Sequence, residues 1–220
     1  AAPMLPKSAH EMGAPSQKNV MDFLQVLQRR PLPPDITEDQ VPGVEAAVLH
    51  TVSTLYYDRI KPLLYIVQRR LRDNREHLPL GVPVEAVVSA LLPICARQPT
   101  QFWIMPPVQR QQPVILLSQE PVWFQGWVDV EAPDDGRYSQ ETWYAFATLL
   151  QTSGGLHSPP YQAALDLRSR KLPPPLARLS LAELEHIVRL GLGRRGFLVH
   201  GQNCLKSVVF SLPSPAEGAA

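Results

Sequence analysis

The sequence is poor in three features that would assign a protein to a broad class. It has two cysteines, Cys95 and Cys204, in 220 residues. A secreted disulfide-stabilised domain uses more, so we expect two reduced thiols in an intracellular protein. Its net charge is +1, which gives no long-range field to attract a polyanion. No apolar run approaches the roughly 18 residues of a membrane-spanning helix, so we expect no membrane partner.

Motifs for catalysis or cofactor binding are missing too. There is no P-loop, no nucleophile elbow and no zinc-protease motif, and six histidines are scattered without metal-ligand spacing. Residues 191–196 have the letters of a dinucleotide fingerprint, but a predicted helix precedes them and a predicted strand follows, the reverse of the required order. A Cys204–His200 pair lacks a third, orienting group. We therefore expect no cofactor, no metal site, no catalytic residue and no enzyme.

Proline, by contrast, is abundant. Its 24 residues are about twice the usual share of roughly 5%. Most lie between apolar runs, so the sequence predicts short elements joined by stiff connectors, including a polyproline-like one at residues 172–176. Residues 1–18 are predicted to be a disordered leader and residues 213–220 a disordered tail.

The best-defined stretch runs from residue 178 to residue 210. Ser180 and Glu183 form a capping-box sequence before apolar residues with helical spacing. Two strands are then predicted on either side of a turn at residues 201–203. A helix followed by a hairpin resembles the end of a winged-helix module.

The same order is predicted between residues 60 and 120. Apolar helices, one of which should end at Pro93, precede two short strands at residues 102–105 and 114–117. There is no convincing internal repeat in the sequence. The two stretches predict a helix-rich α+β fold of two winged-helix-like modules packed together. Residues 19–135 would form a helical, winged-helix-like module, and residues 136–212 a helix-plus-hairpin module.

Basic residues occur in small, arginine-rich groups. Arginine suits bidentate contact with phosphate and stacking on bases, so these groups are candidate nucleic-acid or phosphate contacts. The candidates are Arg69, Arg70, Arg72, Arg168, Arg170, Lys171, Arg194 and Arg195. The alternative is that each group merely caps the C-terminal end of a helix.

Aromatic residues are concentrated between residues 103 and 144. Trp123, Phe124 and Trp127 are candidates for a partner-binding hot spot if they remain on a surface. We predict a non-catalytic protein-interaction module, an adaptor or scaffold, within a larger intracellular protein of the nucleus or cytoplasm. The alternative is an RNA- or DNA-binding module that uses the arginine groups.

Overall fold

The structure is a computed structural model that describes residues 17–107, 112–134, 136–152, 156–193, 195–201 and 204–208. Contacts within the chain divide it into two compact units, residues 1–126 and 127–220. The sequence suggested a division after residue 135. The predicted tail and most of the predicted leader lie outside the described residues, but Gln17 and Lys18 belong to a helix.

The described part of the first unit contains four α-helices and a 3-10 turn. They are α1 (Gln17–Gln28), α2 (Val41–Tyr57), α3 (Leu64–Asp73), the 3-10 turn Arg75–His77, and α4 (Val84–Ala96). Helix α2 buries Val44, Val48 and Val52, which recur every four residues and so face one side. Helix α1 packs on α4, where the side-chain amide of Gln28 donates to the carbonyl of Ala96 at 2.8 Å.

Helix α4 is longer than the sequence predicts. The expectation that Pro93 ends it is wrong, because the helix continues to Ala96. A proline within a helix removes one backbone hydrogen bond. Here Pro93, Ile94, Cys95 and Ala96 are all buried, and that burial offsets the loss. The amide of Arg97 closes the last turn on the carbonyls of Pro93 and Ile94.

Two strands form the sheet of this unit, with the bounds that the sequence predicts. β1 (Phe102–Met105) and β2 (Val114–Leu117) are buried throughout and pair antiparallel. The residues just before α3 pair with the other edge of β2, where Leu63 bridges Val114. β2, the last strand, therefore lies between this early segment and β1.

Two polar groups at the end of α2 are buried and tie it to its neighbours. Asp58 pairs with Arg70 of α3 at 2.7 Å, and their side chains are 4% and 11% exposed. The fully buried Tyr56 accepts a hydrogen bond at its hydroxyl from the amide of Leu117 in β2 (3.1 Å). Helix α2 is thus joined to α3 by opposite charges and to the sheet by a hydrogen bond.

The described part of the second unit alternates helices with short strands. They are α5 (Gln140–Thr152), β3 (Leu156–His157), α6 (Pro160–Arg168), α7 (Pro174–Ala177), α8 (Leu181–Leu192), β4 (Leu198–His200) and β5 (Cys204–Ser207). The polyproline connector predicted at residues 172–176 is wrong in its second part. Pro174 and Pro175 open the short helix α7, whose first positions need no amide hydrogen.

Helix α8 begins as the sequence predicts. The amide of Glu183 donates to the hydroxyl of Ser180 (3.3 Å), and the Glu183 carboxylate accepts from the amide of Ser180 (2.8 Å). This confirms the capping box. Nine of the twelve residues of α8 are buried, so this helix runs through the core of the unit, beside Phe146 of α5 and Leu156 of β3.

The sheet of the second unit has the order β3–β5–β4, and both pairings are antiparallel. Leu205 of β5 lies opposite Leu156 of β3, and both are buried. The sequence does not predict β3, because two residues are too few to set a period of two. In each unit the last described strand is therefore paired on both of its edges, in the first unit through the bridge at Leu63.

Both units are helix-rich with small antiparallel sheets, which is consistent with the predicted α+β class. Among the described residues, no helix is long and apolar enough to cross a membrane.

Removing Arg70 should destabilise the protein, because the buried carboxylate of Asp58 would lose the cation that lies 2.7 Å from it. We expect Arg70→Met to lower the free energy of unfolding by about 3 kcal/mol in urea denaturation. Arg69→Met changes the neighbouring, exposed arginine and should cost less than about 0.5 kcal/mol. Equal losses in the two variants would contradict the importance of the buried ion pair.

Candidate protein-interaction surface

An exposed aromatic pair lies on the first unit. Tyr57, the last residue of α2, stacks on Trp123, which follows β2, with ring centroids 4.1 Å apart and planes at 17°. Tyr57 is 65% exposed and Trp123 is 43% exposed, and the neighbouring Val122 is fully exposed. We call these three residues the aromatic patch.

The backbone beneath the aromatic patch is held by Arg59. The Arg59 guanidinium donates to the carbonyls of Gly126 (2.9 Å) and Gln125 (3.3 Å). Arg59 itself has a φ of 56°, a left-handed conformation that turns the chain sharply after α2. The ring of Phe124 packs on the buried Tyr56, with centroids 4.7 Å apart. These contacts fix residues 124–126, so Trp123 is presented from an anchored segment.

The three aromatics predicted from the sequence have different environments. Trp123 is exposed, whereas Phe124 is half-buried against Tyr56. Trp127 is half-buried and begins the second unit. Tyr57 was missed, although the sequence carried a signal: Tyr56 fits the inward stripe of α2, so the adjacent Tyr57 must point away from it.

The candidate basic residues of the first unit differ in their partners. Arg70 points inward to Asp58. Arg72 makes two contacts with Glu85, at 2.8 and 2.9 Å, and the hydrogen bond from Arg72 lowers the pKa of Glu85. Arg69 is exposed. Two of these three arginines therefore neutralise acids.

The candidates of the second unit are divided in a similar way. Arg170 pairs with Asp166 at 2.7 Å. Arg195 contacts Asp134 at 2.7 Å and lies over the ring of Trp143, 4.7 Å from its centroid. Arg168 and Lys171 are exposed at and beyond the end of α6. Arg194 lies outside the described residues.

Helix α4 of the first unit and helix α8 of the second are each covered by another part of the same unit. In the first unit, α1 lies against α4. In the second, the buried His186 of α8 hydrogen-bonds through Nε2 to the carbonyl of Ala132 (3.0 Å) and through Nδ1 to the hydroxyl of Tyr138 (2.9 Å). Arg189 of α8 also pairs with Glu131 at 2.6 Å. Glu131, Ala132 and Tyr138 therefore lie against α8.

Among the described residues, no group of three His, Cys, Asp or Glu side chains is arranged to hold a metal ion. The glycine-rich run at residues 191–196 begins in the last turn of α8, and Gly193 follows the helix as its C-cap. A phosphate meets amide donors at the opposite end of a helix.

A family model described as a domain of unknown function (DUF7602) matches residues 30–126, fewer than half of the chain. The match ends at the last residue of the first compact unit. No curated protein and no solved structure is significantly similar to the chain. The aromatic patch, Arg59 and the Asp58–Arg70 pair all fall within the matched region.

The ion pairs of Asp166 give an expected pH dependence. Burial opposes ionisation of this carboxyl group, but hydrogen bonds from Arg170 and His157 outweigh it and lower the pKa of Asp166. A carboxylate with a lowered folded pKa stabilises the fold above its unfolded value of about 4, and the effect is lost as pH falls through the lower folded value.

Asp166→Asn should therefore unfold at lower urea concentration than the wild type at pH 7. The two urea midpoints should converge below a pH of about 4. Glu141→Gln alters an exposed acid of α5 and should follow the wild-type pH profile. An Asp166→Asn deficit that stays constant down to pH 3 would contradict the ionic origin of the stabilisation.

Proposed function

We propose that the chain consists of two winged-helix modules that act as a non-catalytic protein-interaction unit, an adaptor or scaffold. The order of elements supports the fold. Each unit contains a helix, a short extended segment, two further helices and two strands, and the last described strand is paired on both edges. This is the order of a winged-helix domain. In the first unit α1 precedes this series and the extended segment is a single bridge at Leu63. In the second unit the short helix α7 lies between the two further helices. Because a fold does not fix a function, the role is argued from the surfaces.

The aromatic patch is the observation that carries the interaction role. A stacked Tyr–Trp pair beside a fully exposed Val is costly to leave in water and is typical of a binding hot spot. The segment beneath it is held by Arg59 and Phe124. A rigid aromatic anchor loses little conformational entropy when a partner binds.

The burial of helices α4 and α8 favours a protein partner over DNA. In helix-turn-helix proteins the recognition helix enters the major groove and needs an accessible face with basic or polar residues. Helix α4 carries one charged residue, Glu85, and is covered by α1. Helix α8 has nine buried residues and a covering segment. Groove insertion by either helix would require the covering element to leave.

We propose that the chain acts as an adaptor within a larger intracellular protein of the nucleus or cytoplasm. The balanced charge fits such a role, because net charge of +1 gives no general attraction to polyanions. Buried or exposed acids pair with Arg70, Arg72, Arg170 and Arg195, which further reduces the basic surface.

Substituting the aromatic patch should remove a protein partner without unfolding the chain. We expect Trp123→Ala and Tyr57→Ala each to weaken partner binding about tenfold or more. Recovery would be measured by quantitative mass spectrometry after photocrosslinking from position 122. Tyr65→Ala removes another exposed aromatic, 52% exposed, and serves as the matched control.

Circular dichroism and urea midpoints would establish that all three variants are folded. Proteins that are lost from Trp123→Ala and Tyr57→Ala but retained by Tyr65→Ala would be patch partners. If folded Trp123→Ala retains every crosslinked protein at the wild-type level, the aromatic patch is not the interaction surface.

RNA or DNA binding is the second candidate, and the exposure of Arg168 and Lys171 favours it. A mixed RNA and DNA pool would be titrated by fluorescence anisotropy at about 50 and about 200 mM salt. Under the adaptor proposal we expect no salt-dependent binding. Strong binding that falls with salt, with a slope reduced by Arg168→Gln and Lys171→Gln, would favour nucleic-acid binding instead.

A further inference from the structure

The outer face of the second unit's sheet brings Cys204 opposite His157. The amide of Gly201 in the hairpin donates to the carbonyl of Cys204 at 2.7 Å, so the backbone groups of Cys204 point towards β4. On its other side, Cys204 is the partner of His157 in β3. This is consequently a non-hydrogen-bonded antiparallel pair, in which Cα atoms are about 4.5 Å apart and side chains are closest.

Alternation along the strands places this pair away from the core. Leu156 and Leu205 are the adjacent pair and are buried. Because successive side chains point to opposite faces of a sheet, His157 and Cys204 share the outer face. The His157 side chain is 70% exposed, and Cys204 is a partly exposed free thiol.

Lys206 lies on the same face, two residues beyond Cys204. A methyl group at Gly201 would lie 3.3 Å from the Cys204 sulfur and 3.2 Å from Cε of Lys206. The thiol and the end of the lysine therefore border the same point above Gly201. The Cys204 carbonyl oxygen is nearer still, at 3.0 Å, so only the absence of a side chain at Gly201 lets these groups approach the backbone so closely.

The imidazole of His157 is oriented by a carboxylate. Its Nδ1 lies 3.1 Å from Oδ2 of Asp166, which also accepts from Arg170 at 2.7 Å. A carboxylate only accepts, so Nδ1 of His157 donates this hydrogen bond, and the bond fixes the orientation of the ring. The thiol thus has an oriented imidazole as its cross-strand neighbour on β3 and a lysine two residues along its own strand.

The other cysteine has the opposite environment. Cys95 is fully buried in α4, and burial raises the pKa of its thiol far above the usual range. Thiol reactivity requires access and cationic or basic neighbours. The chain thus contains one accessible cysteine and one inaccessible cysteine for comparison.

We propose that Cys204 is a thiol-modification site that forms a mixed disulfide with small anionic disulfides such as glutathione disulfide. His157 Nε2 accepts the thiol proton as the Cys204 sulfur attacks one sulfur of the disulfide. The new Cys204–sulfur bond forms, the original sulfur–sulfur bond breaks, and the departing glutathione thiolate takes the proton. The small disulfide is the oxidant, and Lys206 attracts its carboxylates.

The test follows adduct formation on the full chain by intact mass after incubation with glutathione disulfide near neutral pH. We expect one adduct, absent from Cys204→Ser, with a second-order rate constant above that of the same cysteine in the urea-unfolded chain. His157→Gln should slow the reaction about tenfold or more. His200→Gln changes a histidine that pairs with Leu205 rather than Cys204, and should alter the rate less than twofold.

A second disulfide separates the role of Lys206 from that of His157. Lys206→Gln should slow the reaction of glutathione disulfide but not that of neutral hydroxyethyl disulfide, whereas His157→Gln should slow both. Asp166→Asn, which removes the positioning group, should also slow both. Urea midpoints would verify that each variant is folded.

Two results would overturn the proposal. One is a native rate for Cys204 no greater than in the unfolded chain. The other is equal rates for folded His157→Gln and His200→Gln, which would leave Cys204 an ordinary surface thiol.

Discussion

The position of the last strand is the constraint on which each unit depends. β2 joins β1 to the segment that precedes α3, and β5 joins β4 to β3. The early edges are very short and cannot form a sheet without the strand that arrives last. The hydroxyl of Tyr56 accepts a hydrogen bond from the backbone of β2. The position of helix α2 therefore also depends on this strand. Two sequences without a detectable repeat thereby build the same order of elements.

The same architecture pairs several of the candidate arginines with acids. They occur where helices end or turn, and folding places acids from neighbouring elements beside them. Arg70 meets Asp58 across α2 and α3, and Arg195 meets Asp134 across 61 positions of sequence. A run of basic residues in the sequence does not indicate which acids will pair with them in the fold. Helices α4 and α8 are each covered by another part of their own unit.

Local signals were readable from the sequence, and long-range ones were not. The capping box at Ser180 and the bounds of β1 and β2 depend on neighbouring residues and were predicted correctly. The end of α4 was predicted wrongly at Pro93, because the elements that bury residues 93–96 and so offset the lost hydrogen bond are distant in sequence. β3 is too short to show the alternation of a strand. Without β3, the cross-strand neighbour of Cys204 cannot be predicted. The sequence suggested His200, whereas the strand register gives His157. Trp123 was identified, but its stacking on Tyr57 depends on a loop returning to α2. The winged-helix assignment and the interaction role stay predictions.

A central strand that comes last also has a consequence during synthesis. In the first unit, α2, α3 and α4 leave the ribosome before Val114–Leu117 can enter the sheet. In the second unit, almost fifty residues are synthesised between β3 and its partner strand, Cys204–Ser207. Pairing between strands that are distant in sequence slows folding and prolongs exposure of apolar surface. Until that strand is made, each nascent unit is a set of helices with an open edge, and a chaperone that holds such surfaces would act in that interval.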